Sequence, residues 1–115
     1  MSLDELLVGL RKEHGSTASA VISRDGLVIA ADLPEDVSQE TFSIMCAAIM
    51  GAGMTTTTEL GKSSPVHISL TSEDVRIILY AAGRKSILAV VVPPEADVEA
   101  VGQSAKIIAE QIAET

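Results

Sequence analysis

Four groups of residues in this sequence have types and spacings that invite a chemical reading. Gly61-Lys62-Ser63 offers the glycine, lysine and hydroxyl with which phosphate-binding loops hold a nucleotide and its magnesium. That motif also wants a glycine five residues before Gly61, where this chain has Thr56, and it wants a strand before and a helix after. Here an apolar helical stretch precedes and Pro65 follows, so the segment reads as a helix end with a solvated lysine. His14, His67 and Cys46 are far apart, and one cysteine cannot build a zinc site with them without recruiting scattered acids. His14 falls where a helix C-terminus favours a partly charged imidazole, while His67 points outward from an edge strand or into a partner. Asp25 and Asp32 flank a turn, where aspartate is ordinary turn chemistry. No nucleophile is accompanied by a base and an orienting group. The expectation is therefore a chain that is not an enzyme, with no catalytic residue, no cofactor and no metal.

With no reactive centre to position, the elements organise themselves around the stretch from Ser38 to Gly61. It carries no charge from Thr41 to Thr58, in a chain with 16 acidic and 8 basic residues. On a helix, Phe42, Cys46, Ile49, Gly53, Thr56 and Leu60 form one mostly apolar stripe. Ile44, Ala48, Gly51, Thr55 and Thr58 form a second stripe on roughly the opposite side. A membrane span needs ~20 predominantly apolar residues. Here Ser43 and the four threonines break the run, whose apolar part extends only from Phe42 to Met54. Two arrangements remain: a central core helix within a monomer, or a helix whose bulky stripe lies on its own sheet while the small stripe meets another helix. Glycine inside a helix costs about 1 kcal/mol relative to alanine, so Gly51 and Gly53 favour the arrangement with a close approach, and hence a dimer.

Composition bounds the rest. The 115 residues suffice for a single domain, 1–115, with a real core. Hydrophobic residues are 47% and aromatics 2%, so that core is built from Ala, Val, Ile, Leu and Met. The formal net charge of -8, with no basic cluster beyond the pairs Arg11-Lys12 and Arg84-Lys85, argues against nucleic acid and against an anionic membrane surface. A single cysteine in the apolar helix fits a reducing cytoplasm and a role as small core filler. The beginning Met-Ser-Leu-Asp-Glu-Leu-Leu has acids where a signal peptide needs bases, so no targeting segment is visible.

Taken in order, Ser2 and Glu5 have capping-box spacing, and Leu3, Leu6, Leu7 and Leu10 recur at helical intervals until Gly15. From Thr17 the period falls to two, and Arg24-Asp25-Gly26 turns the chain into a returning strand, Leu27 to Ala31. Ser38 caps the long helix. Val66 to Leu70 alternates as a half-buried strand behind Pro65, which suits an edge. Val75 to Ala82 and Ile87 to Val92 are apolar at nearly every position, the mark of strands covered on both faces. Pro93-Pro94-Glu95 starts a last helix with Glu95, Asp97 and Glu99 in its first turns and Val98, Val101, Ala105, Ile108 and Ile112 along one face. The predicted fold is an α/β (α+β) sandwich of order α-β-β-α-β-β-β-α, with a five-stranded, mainly antiparallel sheet and helices on both faces.

That order, the hairpin from Ala20 to Ala30, the apolar long helix, and Leu88 to Val92 leading into an amphipathic helix are similar to the roadblock family of dynein light chains and their bacterial and archaeal relatives, a roadblock/profilin-like fold. The resemblance implies a homodimer in which long helices pair antiparallel and third strands meet edge to edge. On that picture Ile44, Ala48, Gly51, Ala52 and Thr55 face the partner helix, and Val66, His67, Ile68 and Ser69 the partner strand. It further implies a scaffold or regulator of a Ras-like small GTPase. Two other functions stay open: a small-molecule-sensing regulatory domain, and a structural dimer within a larger assembly.

Overall fold

Ser2 opens the first helix, α1 (Leu3–His14), as the spacing predicts. Its hydroxyl accepts from the Glu5 amide at 3.1 Å while the Glu5 carboxylate accepts from the Ser2 amide at 3.2 Å, and Gly15, at φ 70°, closes the other end. The computed structural model describes residues 1–114. The remaining elements are β1 (Ala18–Ser23), β2 (Val28–Asp32), α2 (Gln39–Glu59), β3 (His67–Thr71), β4 (Arg76–Ala82), β5 (Ser86–Val92) and α3 (Val98–Ala113), in the predicted order.

The five strands form one sheet in the order β2-β1-β5-β4-β3, and every neighbouring pair is antiparallel. The two apolar runs take the middle of it. All seven residues of β5 are buried, because β5 has strands on both sides and helices on both faces. On one face, Val21, Tyr80, Leu88 and Val90 pack with Leu7 and Leu10 of α1 and Val101 and Ile108 of α3. On the other, Ala20, Ile22, Leu79 and Ala89 pack with Cys46 and Met50 of α2. The second layer is thinner, one helix against the first layer's two.

Two details depart from the sequence reading. Val98, not the diproline, begins α3, because Pro93 to Ala96 closes a turn and the Asp97 carboxylate then accepts from the Ala100 amide at 3.1 Å. Asp97 is thus the N-cap and Glu95 lies outside the helix, leaving Glu99 alone in its first turn. The Asp25-Gly26 turn also does more than reverse the chain. The register between β1 and β2 shifts at Val21/Ile22, and Gly26, at φ 94°, brings the turn against α2, where a Cβ on it would lie 3.2 Å from the Ile44 Cα.

Candidate functional site

α2 owes its place to few anchors. Ser38 caps it by accepting from the Thr41 amide at 3.2 Å. One turn on, Ser43 is 1% exposed and its hydroxyl donates to the Gly26 carbonyl at 2.8 Å, which pins the hairpin to the helix. Arg24 makes a second clasp, its guanidinium donating to the Gly83 carbonyl at 2.7 Å and to the Met54 sulfur at 3.0 Å. Between these points only Ser43, Cys46 and Met50 are fully buried. Burial pushes the Cys46 thiol up to about 11, which leaves it protonated and inert, a small core side chain as its setting in the sequence suggests.

The buried stripe of α2 therefore differs from the one read from spacing. Phe42, Cys46, Ile49 and Gly53 do face the sheet, but Thr56 and Leu60 are exposed. Gly53 and Gly51 also separate. A Cβ on Gly53 would come within 2.5 Å of the Ile68 Cδ1, so its close approach is to β3 of the same chain. Gly51 has open space where its Cβ would be. Thr56 and Thr57 turn their hydroxyls back onto the Ala52 and Met54 carbonyls, and Gly61, at φ 70°, ends the helix as a cap rather than as a phosphate loop.

The outer face of α2 is what remains. Ile44, Ala48, Gly51, Ala52 and Thr55 are all exposed on it, Ile44 to 44% with the rest of its side chain against the Gly26 turn. Met45, exposed to 52%, belongs to the same surface. The spacing Met45, Ala48, Ala52, Thr55 is itself a helical stripe that would have found it. Beside this face runs β3, with four of its five residues exposed. Val66, His67 and Ser69 are exposed, whereas Ile68 turns inward to pack under α2 and belongs to the edge through its backbone alone. An uncharged helix face and an unpaired strand edge thus adjoin on one side of the molecule.

His14, Asp25 and Asp32 lie elsewhere and do not converge with His67. The His14 ring nitrogen Nε2 lies 2.8 Å from the Ser104 hydroxyl, which ties α1 to α3. Asp32 is paired with Arg11 at 2.9 Å, and the Asp25 carboxylate accepts from Ser23 within its own turn. Among the described residues no three His, Cys, Asp or Glu side chains gather as a metal site, and no helix is long and apolar enough to cross a membrane.

The class this architecture defines is an antiparallel α/β sandwich, with one long helix on one sheet face and two helices on the other. Within that class the chain belongs to the Roadblock/LC7 domain family, whose model matches residues 2–92, α1 through β5. It is 31% identical over 110 residues to an uncharacterized protein of Methanocaldococcus jannaschii, covering 96% of each chain. A Roadblock/LC7 domain from Streptomyces avermitilis superimposes with a TM-score of 0.89 at 21% identity, covering 97% of this chain and 95% of that one. The gliding protein MglB of Thermus thermophilus superimposes with a TM-score of 0.86 at 22% identity, covering 96% and 84%. At those identities the structural likeness is one of fold.

Proposed function

We propose that this domain is a non-enzymatic homodimeric platform that binds a Ras-like small GTPase in the cytoplasm and modulates its nucleotide cycle or its location. The observation that carries the dimer is the outer face of α2: no charge between Thr41 and Thr58, apolar side chains at Ile44 and Met45 half exposed, and small residues between them, next to the free edge of β3. A long apolar helix face and a bare strand edge are two liabilities that one symmetric contact removes together. In that contact Ile44, Ala48, Gly51, Ala52 and Thr55 meet the partner helix, and Val66 to Ser69 the partner strand.

The GTPase reading rests on membership of the roadblock family and on the absence of any converging reactive group among the described residues. The acidic surface supports it as a source of steering toward a basic partner face, while making nucleic acid and anionic membranes poor partners. Affinity capture from native lysate, run with a non-hydrolysable GTP analogue and again with GDP, tests it. A small GTPase retained in one nucleotide state alone is the expected result. The same proteins bound in both states, with no GTPase among them, makes the domain a structural dimer within a larger assembly.

A further inference from the structure

The sheet is five strands wide, but on the face that carries α1 and α3 the helices cover only part of it. α1 lies over β1 and β2, and α3 over β4 and β5, so the outer flank of β4 and all of β3 lie beyond their cover. Between that flank and α3 is a cavity of about 480 Å³. Its volume falls in the range of small-molecule sites, roughly 300–1,000 Å³. The stripe of α3 that faces it reads Val98, Gly102, Lys106, Ala109, Ala113: small or apolar residues with one lysine in the middle. The small side chains open the space, and Ile78 and Ala81 of β4 help to floor it.

Tyr80, the only tyrosine of the chain, stands in this cavity. It is 9% exposed, its ring lies 6.1 Å from that of His67, and a Cβ on Gly102 would stand 3.8 Å from its hydroxyl oxygen. That hydroxyl has no hydrogen bond among the described residues and keeps its access to the cavity, where it can donate to a ligand. Burial raises its pKa, so it stays a donor at neutral pH. Lys106 likewise has no ion pair among the described residues. Glu110, one turn further along α3, is the only carboxylate at the rim among the described residues. Donors therefore converge on an apolar slot whose walls ask for hydrocarbon.

We infer that the cavity between α3 and the β3–β4 flank binds a small monocarboxylate with an apolar body, its carboxylate taking the Tyr80 hydroxyl and the Lys106 ammonium and its body lying over Gly102 and Ile78. All its lining residues come from one protomer and none belongs to a GTPase, but its β3 wall, Val66, His67 and Ser69, adjoins the edge proposed to meet the partner strand. Because the chain has one tyrosine and no tryptophan, its intrinsic fluorescence reports from inside the cavity. Titration with octanoate is expected to give a saturable change in that fluorescence, with shifts of the Gly102 and Ser69 amide resonances. Octanamide and the Lys106→Met variant each weaken binding about three- to fivefold, the contribution of an exposed ion pair. Glu110→Gln tightens binding by removing an opposing charge from the rim. Gly102→Leu fills the slot and abolishes binding, whereas Gly102→Ala, whose methyl makes an ordinary contact, retains it. No response to octanoate at millimolar concentration overturns the assignment, as does tighter binding of octylamine or undiminished binding to a folded Gly102→Leu variant. Should that variant not fold, equal affinity for octanoate and octanamide overturns it.

Discussion

Replacing Gly51 by glutamate separates the fold from the proposed interface, because the two respond with opposite signs. Gly51 is exposed within α2, and nothing lies within 4 Å of the position its Cβ would take. In the isolated protomer a glutamate there enters open space and relieves the helix of a glycine, a gain of about 0.5 kcal/mol. In the proposed dimer each protomer carries one carboxylate into an apolar helix crossing with no partner charge, and the effective penalty is several kcal/mol per ion. Taking only about 2 kcal/mol for each of the two gives about 4 kcal/mol, or about a thousandfold in the dimer Kd. Sedimentation equilibrium across a dilution series measures that constant, and urea unfolding of the dissociated variant measures the protomer. The expected pair of results is a variant that is monomeric where the parent is dimeric, and whose protomer is at least as stable. A variant whose mass holds at every concentration where the parent's does would refute the placement of Gly51 in the interface. Lower protomer stability would refute the account of its surroundings.

Three further predictions, using four substitutions, test the internal anchors. Ser43→Ala leaves the buried Gly26 carbonyl without its donor and is expected to lower unfolding stability by about 1–3 kcal/mol in urea denaturation, whereas a loss below about 0.5 kcal/mol would show that the turn is held by other contacts. Asp97→Ala removes the α3 cap and costs about 1 kcal/mol, while Glu95→Gln, outside the helix, is neutral in the same assay; equal effects would return Glu95 to the first turn. The buried Cys46 thiol titrates near 11 in the folded chain but near its ordinary value when unfolded, so between these the unfolded chain has lost a proton the folded one keeps. Stability therefore falls as pH rises from about 9 toward 11, by up to about 2 kcal/mol, and the fall is smaller in Cys46→Ala; parallel curves for the two proteins would contradict the assignment.

The order of all eight elements is legible in the sequence because each announces itself locally. A capping pair opens α1 and a capping serine α2, a change of period from 3.6 to two marks β1, and unbroken apolar runs mark the strands that lie between two layers. What is not legible depends on which distant residues meet. Ser43 looks like a break in an apolar helix until the Gly26 carbonyl arrives opposite it. Gly51 and Gly53 look alike two residues apart, yet one approaches Ile68 of its own chain and the other approaches nothing. Pro93 and Glu95 resemble a helix start, and only the geometry of Asp97 and Ala100 moves that start to Val98. The uncharged outer face of α2 was readable in the sequence, but which side chains lie open was not: Met45 is half exposed and the Ile68 side chain packs inward. The cavity at Tyr80 has no sequence signature, since it arises from the width of the sheet relative to the helices that cover it.

The sheet has two edges, and they are not equivalent. Both edge strands are five residues long with a proline two residues beyond one end, but the pairing of β2 with β1 is interrupted by a register shift and its last residue Asp32 is engaged by Arg11 of α1. Irregular register and a charge are devices that stop an edge from recruiting another strand. β3 has neither: His67 to Thr71 pair with Tyr80 to Arg76 in unbroken register. A chain that guards one edge and leaves the other regular, and that sets the unguarded edge beside the uncharged face of its longest helix, concentrates its capacity for association on one side. A second copy placed against that side covers both features and leaves the guarded β2 edges at the outer ends, where the sheet stops growing.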